Sequence, residues 1–541
     1  MGQHACPNVL LIFTDQQRWD TIGACGNKAI RTPNLDRMAT EGVVFENAFT
    51  PCPVCVPARA ATVSGYTPSR MGCLANSGCF ADEGDTMAAY LSQAGYHTQG
   101  IGKMHFTPHG QTYGIQELIL SEVTRFVRKP TDVESVSFDD YDKFLIERGM
   151  WGWDKPPGRG YNEIRPFVNP LPKECHVTQW CGDRTVEWLK KGRPEEKPFF
   201  LWTSFTKPHV PYDCPRHLVD FYDPDDMPEP WGSDEDRVRC NPVYEETRKR
   251  LEFDLYSDRA LRIARAHYYA NVTFIDEQVG RILDTLSQEG LARNTLVIYA
   301  SDHGDLLGDH GLWYKSFGYE GSMKVPMLAW WPGEIQPGTR VTDIVTLLDI
   351  FPTIMSRAGL QASGKRYGRD LFSFFSSERR ASREMTFSEI GYPPDYRVYV
   401  RHRDWKYIFF QNGGFEELYH LTDDPQELHN LAGDPAHRAD GRELKAAAVE
   451  WIRQYGSPEI ALDKSGSLRS EPYRSVPQAD FRFHPYPYSR MPWEMIVPPT
   501  GLPDGFPLPW FWKACGGDWS QLIEYARSRS KARSPREQEN A

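Results

Sequence analysis

The residues best suited to chemistry lie in one short stretch, 55–65, that begins at a cysteine. Cys55 is followed by Pro57 and Arg59, and the stretch ends in Ser-Gly. Cys52 and Cys55 also form a Cys-x-x-Cys spacing, which is typical of thiol redox sites. The proline, the arginine and the final glycine have no role in such a redox site. The complete pattern therefore favours a different chemistry at Cys55.

This pattern, Cys-x-Pro-x-Arg, four residues and Ser-Gly, resembles the signature by which type I sulfatases mark one cysteine for oxidation to formylglycine. The resemblance implies that Cys55 becomes an aldehyde whose hydrate attacks the sulfur of a sulfate monoester and then regenerates the aldehyde. It implies a formylglycine-generating enzyme as the partner in maturation. It also implies that Arg59 holds the hydrate or its oxygen.

Two acidic positions follow predicted strands, as a metal site with converging oxygen ligands requires. Asp15-Gln16 and Asp302-His303 resemble metal ligands of the family, many of whose members carry a second Asp where this chain has Gln16. The resemblance implies one divalent metal held by Asp15, Asp302, His303 and the modified Cys55, with Gln16 as a neutral ligand or none. Hard oxygen ligands favour calcium, while His303 leaves manganese or magnesium open.

The remaining site residues lie in motifs that are each weak evidence when taken singly. These motifs occur along the chain in the same order as in the family. Gly-Lys-x-His contains Lys103 and His105, which by resemblance contact the sulfate and serve the formylglycine. Pro-His-x-Pro-Tyr contains His209, which by resemblance lies near the leaving oxygen. Lys315 stands where the family places a second sulfate-binding lysine. An alkoxide leaving group needs a proton, so His209 is the expected donor, with Lys315 as the second choice.

Two other functions remain open. Phosphonate monoester hydrolases, which also cleave phosphodiesters, are similar and use the same nucleophile, and Asn76 stands where they carry a substrate-contacting asparagine. They carry Tyr-x-Thr where this chain has Lys103 and His105, and that charged pair favours sulfate. The third hypothesis is a non-catalytic anion-binding protein in which Cys55 is never modified.

The pattern of apolar runs predicts the elements that position these residues. Short apolar strands alternate with helical stretches over the first 375 residues, which is typical of a mostly parallel sheet with helices on both faces. Ligands bind such sheets at the carboxyl ends of the strands, where Asp15 and Asp302 are predicted to lie. The predicted strands are Val9–Thr14, His97–Ile101, Phe199–Ser204, Thr295–Ser301 and Val325–Trp331. The predicted helices are Asn34–Glu41, Thr86–Ala94, Gly182–Lys191 and Leu261–Gln288.

Three units are predicted along the chain: a catalytic domain over 1–375, a smaller subdomain over 382–460 and an extension over 461–541. The resemblance implies an alkaline-phosphatase-like α/β fold with a C-terminal α+β subdomain built on an antiparallel sheet. Asn412-Gly413-Gly414 predicts a hairpin turn in that subdomain. The insert 121–172 is predicted to form loops over the active-site face. The extension, rich in proline and aromatic residues, is expected to mediate homo-oligomerisation.

Composition excludes several classes of partner. The chain of 541 residues carries a formal net charge of −11, which argues against nucleic acid and anionic membrane surfaces. Its eleven cysteines form no disulfide framework. No secretory signal or membrane span is evident, so a cytoplasmic location is expected. That location favours a small sulfate ester over a polymeric sulfated glycan. The abundant aromatic residues suit either an aryl group or a quaternary ammonium group, as in choline sulfate, so the sequence leaves the alcohol itself open.

Overall fold

The computed structural model describes residues 6–78, 84–107, 111–122, 139–150, 164, 166–232, 241–250, 256–376 and 381–475. These residues form a mixed α/β fold with a large central sheet and a smaller four-stranded sheet. The predicted fold class is confirmed. The described strands are β1 (Asn8–Asp15), β2 (Val43–Phe49), β3 (His97–Gly102), β4 (Glu117–Leu120), β5 (Phe167–Asn169), β6 (Phe199–Pro208), β7 (Asp213–Pro215), β8 (Thr295–Ser301), β9 (Lys324–Val325), β10 (Met327–Trp330), β11 (Thr339–Thr346), β12 (Met385–Ile390), β13 (Arg397–His402), β14 (Trp405–Phe410) and β15 (Glu416–His420).

The central sheet has the strand order β11-β2-β10-β8-β1-β6-β3-β4, with β9 beside β2. Strand β1 is buried along its whole length and pairs in parallel with β6 and β8. Among the described strands of this sheet, β9 and β10 run in the direction opposite to the others. A continuous apolar run such as Val9–Phe13 is what a strand covered on both faces requires.

Helices cover the central sheet and the smaller sheet. The longest, Asp258–Gln288, starts at a Ser257 side chain that accepts a hydrogen bond from the Ala260 backbone N–H, a common N-cap arrangement. The described α-helices are α1 (Pro33–Glu41), α2 (Cys55–Ser64), α3 (Met87–Gln93), α4 (Asp140–Glu147), α5 (Val177–Glu187), α6 (Pro242–Arg250), α7 (Asp258–Gln288), α8 (Glu320–Met323), α9 (Ile350–Arg357), α10 (Arg438–Tyr455) and α11 (Pro458–Ala461).

Most predicted elements are present, with three corrections. The predicted strand 325–331 is divided at Pro326, which has no N–H to donate to the ladder. The predicted helix 182–191 begins five residues earlier, at Val177, and its last turn is a π-helix over Trp188–Gly192. The insert 121–172 is more than loops, because it contains helix α4 and strand β5. The rest of that insert lies largely outside the described residues.

The smaller sheet is an antiparallel meander in the order β12-β13-β14-β15. The predicted turn at 412–414 joins β14 to β15. Helix α10 packs on this sheet through Leu444, Ala448, Trp451 and Ile452. The predicted extension is described only as far as residue 475, so its role in oligomerisation stays a prediction. No helix within the described ranges is long and apolar enough to cross a membrane.

Candidate active site

The site lies at the carboxyl ends of two adjacent parallel strands. Asp15 is the last residue of β1, and Asp302 directly follows β8; the side chains of both are fully buried. Strands β1 and β8 pair in register up to Thr14 and Ser301. The two carboxylates therefore converge as parallel-strand topology predicts.

Cys55 is the first residue of helix α2, all ten residues of which are buried. Its Sγ lies 3.1 Å from His303 Nε2 and 3.7 Å from Asp15 Oδ1. The positive end of a helix at this point favours an anionic group. Asn76 also lies at this helix end, where its side-chain oxygen accepts a hydrogen bond from the Val56 backbone N–H at 3.1 Å.

Four predicted ligands form one group suited to a divalent cation. The potential ligand atoms of Asp15, Cys55, Asp302 and His303 all lie within 4.8 Å of one another. His303 Nδ1 lies 2.9 Å from the Gly304 carbonyl oxygen, to which it donates, so Nε2 is left to bind a metal. Two carboxylates and an imidazole nitrogen fit calcium, manganese or magnesium.

Arg59 is fully buried and links neighbouring segments through hydrogen bonds. Its Nε donates to Asp302 Oδ2 at 2.8 Å, and its Nη1 donates to the Lys103 carbonyl and to Ser204 Oγ. Its Nη2, 3.7 Å from Asp15 Oδ2, makes no hydrogen bond to any described residue. A buried donor of this kind requires an acceptor, and an additional oxygen on residue 55 or a bound anion would supply one.

Two lysines complete the centre of the site. Lys103 forms an ion pair with Asp15. Lys315 Nζ donates to Cys55 Sγ at 3.1 Å and to Gln16 Oε1 at 2.9 Å. Gln16 is therefore at the site, where its side-chain oxygen faces Lys315.

The charges at this centre shift the pKa values of its groups. Burial and Asp15 alone would raise the pKa of the Cys55 thiol, but Lys315, His303 and Lys103 outweigh them and lower it. Burial alone would lower the pKa of Lys315, but Cys55 and the two carboxylates raise it. Lys315 is therefore a cation at neutral pH.

The two predicted histidines have different environments, and the electrostatic contacts of His209 with Asp15, Lys315 and Lys103 place it at this centre. His105 is buried, has a left-handed backbone (φ 59°), and donates its backbone N–H to Glu122 Oε1 at 2.7 Å. His209 Nδ1 lies 2.5 Å from the Val210 carbonyl oxygen, to which it donates. Burial first, and then Lys315, place the pKa of His209 well below the usual range. The imidazole of His209 is therefore neutral at neutral pH.

Comparison with known proteins gives the family. The sequence model described as Sulfatase matches residues 7–360, and the model described as N-sulphoglucosamine sulphohydrolase, C-terminal, matches residues 308–454. The first match alone covers more than half of the chain. The chain belongs to the sulfatase family.

This sulfatase is similar to characterised relatives over most of its length. It is 34% identical to an arylsulfatase of Clostridium perfringens over 493 residues, covering 87% of this chain and 99% of the relative. It is 30% identical to a choline-sulfatase of Rhizobium meliloti over 514 residues, covering 90% and 94%. Like its family, it is a hydrolase that acts on sulfate esters.

A solved structure shares the fold of the sulfatase at lower sequence identity. The phosphonate monoester hydrolase of Agrobacterium radiobacter superposes with a TM-score of 0.71 at 24% identity, covering 86% of this chain and all of that one.

The two cysteines of the Cys-x-x-Cys spacing, Cys52 and Cys55, are both free. Burial also raises the pKa of Cys52, which opposes thiolate chemistry.

Sequence reasoning missed residues that fix the site residues in place through hydrogen bonds and an ion pair. Asp305 accepts hydrogen bonds from Gln16 Nε2 at 2.6 Å and from the Tyr212 hydroxyl at 2.5 Å. Lys207 forms an ion pair with Asp213 and donates to the Pro211 and His209 carbonyls, which fixes the segment that carries His209. Asp305 follows Asp302 by three residues, and Lys207 directly precedes the Pro-His-x-Pro-Tyr motif. Their closeness to these motifs was a signal that could have been used.

Proposed function

We propose that this sulfatase hydrolyses a small aryl or alkyl sulfate monoester with formylglycine, formed from Cys55, as its nucleophile. The observation that carries the proposal is the position of Cys55. It starts a buried helix, with Lys315 and His303 each 3.1 Å from its sulfur and two buried carboxylates beside it. A metal or a charged sulfate placed here meets charged groups of complementary sign that are already gathered at a buried site.

A divalent metal, calcium by preference, would be held by Asp15, Asp302, His303 and residue 55, with Gln16 as a further neutral ligand or none. When bound, the metal supplies a Lewis acid that polarises oxygen and lowers the pKa of hydroxyl groups. Arg59 would donate its unused Nη2 to an oxygen on residue 55. Its bond to Asp302 holds that carboxylate in place.

Lys103 and Lys315 would contact the equatorial oxygens of the sulfate, and Asn76 would line the substrate side at the start of helix α2. His209 would give a proton to the departing alcohol. It is neutral in the free protein, so the negative charge of bound substrate must raise its pKa before it can act as the acid. His105 would accept a proton from residue 55 as sulfate leaves, which restores the aldehyde.

The decisive experiment joins a mass measurement to a substrate panel. Conversion of Cys55 to formylglycine lowers the intact mass by about 18 Da, and the peptide containing residue 55 locates the change. One purified preparation is then assayed with aryl sulfates, alkyl sulfates, a phosphonate monoester and a phosphodiester. A wild-type protein that prefers the phosphonate over every sulfate ester would replace this proposal with the phosphonate hydrolase. An unconverted Cys55 without turnover would indicate the anion-binding protein.

Replacement of Lys103 should distinguish sulfate ester hydrolysis from phosphonate ester hydrolysis. Lys103→Ala is expected to lower sulfatase kcat/KM by about 10²- to 10³-fold, because it removes a charge used mainly in the transition state. Phosphonate monoester hydrolysis should fall less. Metal content is measured in parallel, since Lys103 also pairs with the ligand Asp15. Equal losses on both substrates with metal retained would contradict a sulfate-specific role.

The donor role of His209 predicts a dependence on the leaving group. His209→Ala is expected to lower kcat for an alkyl sulfate by about 10²- to 10⁴-fold, the usual range for general acid catalysis. The loss on 4-nitrophenyl sulfate should be much smaller, because nitrophenolate departs without a proton. The same loss on both esters would exclude His209 as the donor.

Maturation and location complete the proposal. A formylglycine-generating enzyme is proposed as the partner that oxidises Cys55, in the cytoplasm. Co-expression with such an enzyme, compared with expression without it, tests the partner through the fraction of protein that is lighter by about 18 Da.

A further inference from the structure

The turn that carries Lys315 has an unusual backbone. Tyr314 and Ser316, on either side of Lys315, have φ angles of 69° and 77°. This left-handed region is costly for residues other than glycine and persists only where neighbouring groups hold the chain in it. The direction of the Lys315 side chain therefore depends on the contacts that hold this turn.

One of these contacts reaches the nucleophile segment. The Ser316 N–H donates to the Pro53 carbonyl at 3.0 Å, two residues before Cys55. This bond fixes the distance between the Lys315 turn and the start of helix α2. This hydrogen bond is the contact that holds one side of the turn in place.

The other side is held by the smaller sheet. Arg397, the first residue of β13, donates from Nη1 to the Ser316 carbonyl at 3.0 Å. Its guanidinium lies over the rings of Tyr244 and Phe410, 5.9 and 5.7 Å from their centroids. The Tyr244 hydroxyl in turn accepts a hydrogen bond from the Gly318 N–H at 3.0 Å. The guanidinium is thus packed between aromatic rings and pointed at the turn.

We propose that Arg397 is a positioning residue for Lys315, so that the smaller sheet completes the active site from a distance. This inference rests on the proposed role of Lys315 in the sulfatase reaction. Arg397 touches neither Cys55 nor the carboxylates among the contacts described, and it acts through the Ser316 carbonyl. A displacement of about 1 Å in a positioned group is enough to cost roughly 100-fold in rate.

The test compares Arg397→Met with Arg403→Met, a matched control. Arg403 lies just after the same strand with an exposed side chain, and its nearest ionic partner is Glu384 at 3.8 Å. Rates are expressed per converted residue 55, determined by intact mass. Arg397→Met is expected to lower kcat/KM by about 10- to 100-fold and to weaken inhibition by inorganic sulfate, while Arg403→Met leaves both unchanged. Arg397→Lys, which keeps a charge and a donor, should recover part of the loss.

Coupling to Lys315 separates positioning from general loss of structure. Adding Arg397→Met to Lys315→Ala should cause little further loss, because both changes remove the same interaction. Losses that multiply, or a wild-type kcat/KM in Arg397→Met, would overturn the inference. If Arg397→Met does not fold, Tyr244→Phe loosens the same turn and must show the same coupling. If Lys315→Ala itself keeps full activity, the proposed role of Lys315 fails and the inference fails with it; an impaired Lys315→Ala beside an unimpaired Arg397→Met refutes the inference alone.

Discussion

Replacing Cys55 with alanine is expected to lower kcat by roughly 10⁶-fold, the scale seen when an enzyme loses its nucleophile. Cys55 lies at the start of helix α2 in contact with Lys315 and His303, and alanine can neither be oxidised to formylglycine nor attack sulfur. The measurement is multiple turnover of a sulfate ester. Thermal unfolding of the variant is followed alongside it to show that the fold persists.

Cys52→Ala is the matched control for the nucleophile. Cys52 is a free, fully buried cysteine three residues earlier on the same segment. It belongs only to the rejected redox motif, so its loss should leave turnover nearly unchanged. Substantial turnover by Cys55→Ala, or an equal loss in Cys52→Ala, would contradict the assignment of the nucleophile.

Removal of the metal is the second change with a very large expected effect. Chelation should reduce kcat to background, and calcium or manganese should restore it. Asp302→Ala should do the same irreversibly, by about 10³-fold or more, because a Lewis acid supplies several kcal/mol and each 1.36 kcal/mol is tenfold in rate. Metal content is measured by elemental analysis of protein purified without added metal.

Asp276→Asn is a suitable control for the metal site. Asp276 is equally buried, but it accepts hydrogen bonds from the backbone N–H groups of Asn34 and Leu35, at the start of helix α1. Its neutralisation should lower stability and leave the metal in place. Stoichiometric zinc, in the absence of calcium, manganese and magnesium, would contradict the expected ligand chemistry.

The sequence predicted the parts of the fold that depend on local pattern. The apolar run before Asp15 and the one before Asp302 became β1 and β8, and their parallel pairing brought both carboxylates to one edge. The long helix was predicted to within three residues at its start, because its apolar periodicity extends over eight turns. The break at Pro326 was readable in principle, since proline cannot donate to a ladder.

The parts that were not predicted depend on contacts between distant residues. Arg397 and Ser316 are 81 residues apart, and no local pattern in either segment indicates the other. The protonation of His209 depends on burial and on Lys315, neither of which a motif encodes. The Gln16 amide, ambiguous in sequence, is oriented by Asp305, 289 residues away.

The burial of helix α2 has a consequence for the order of events during biosynthesis. Every residue of Cys55–Ser64 is buried in the folded chain, and Cys55 is only 1% exposed. A maturation enzyme needs access to this segment, and exposing a core helix costs nearly as much as unfolding the whole domain. On the proposed function, the oxidation of Cys55 must therefore precede folding. On that proposal, a molecule that folds with an intact cysteine would stay inactive for its lifetime. The specific activity of a preparation would then record how folding and oxidation competed while the protein was being made.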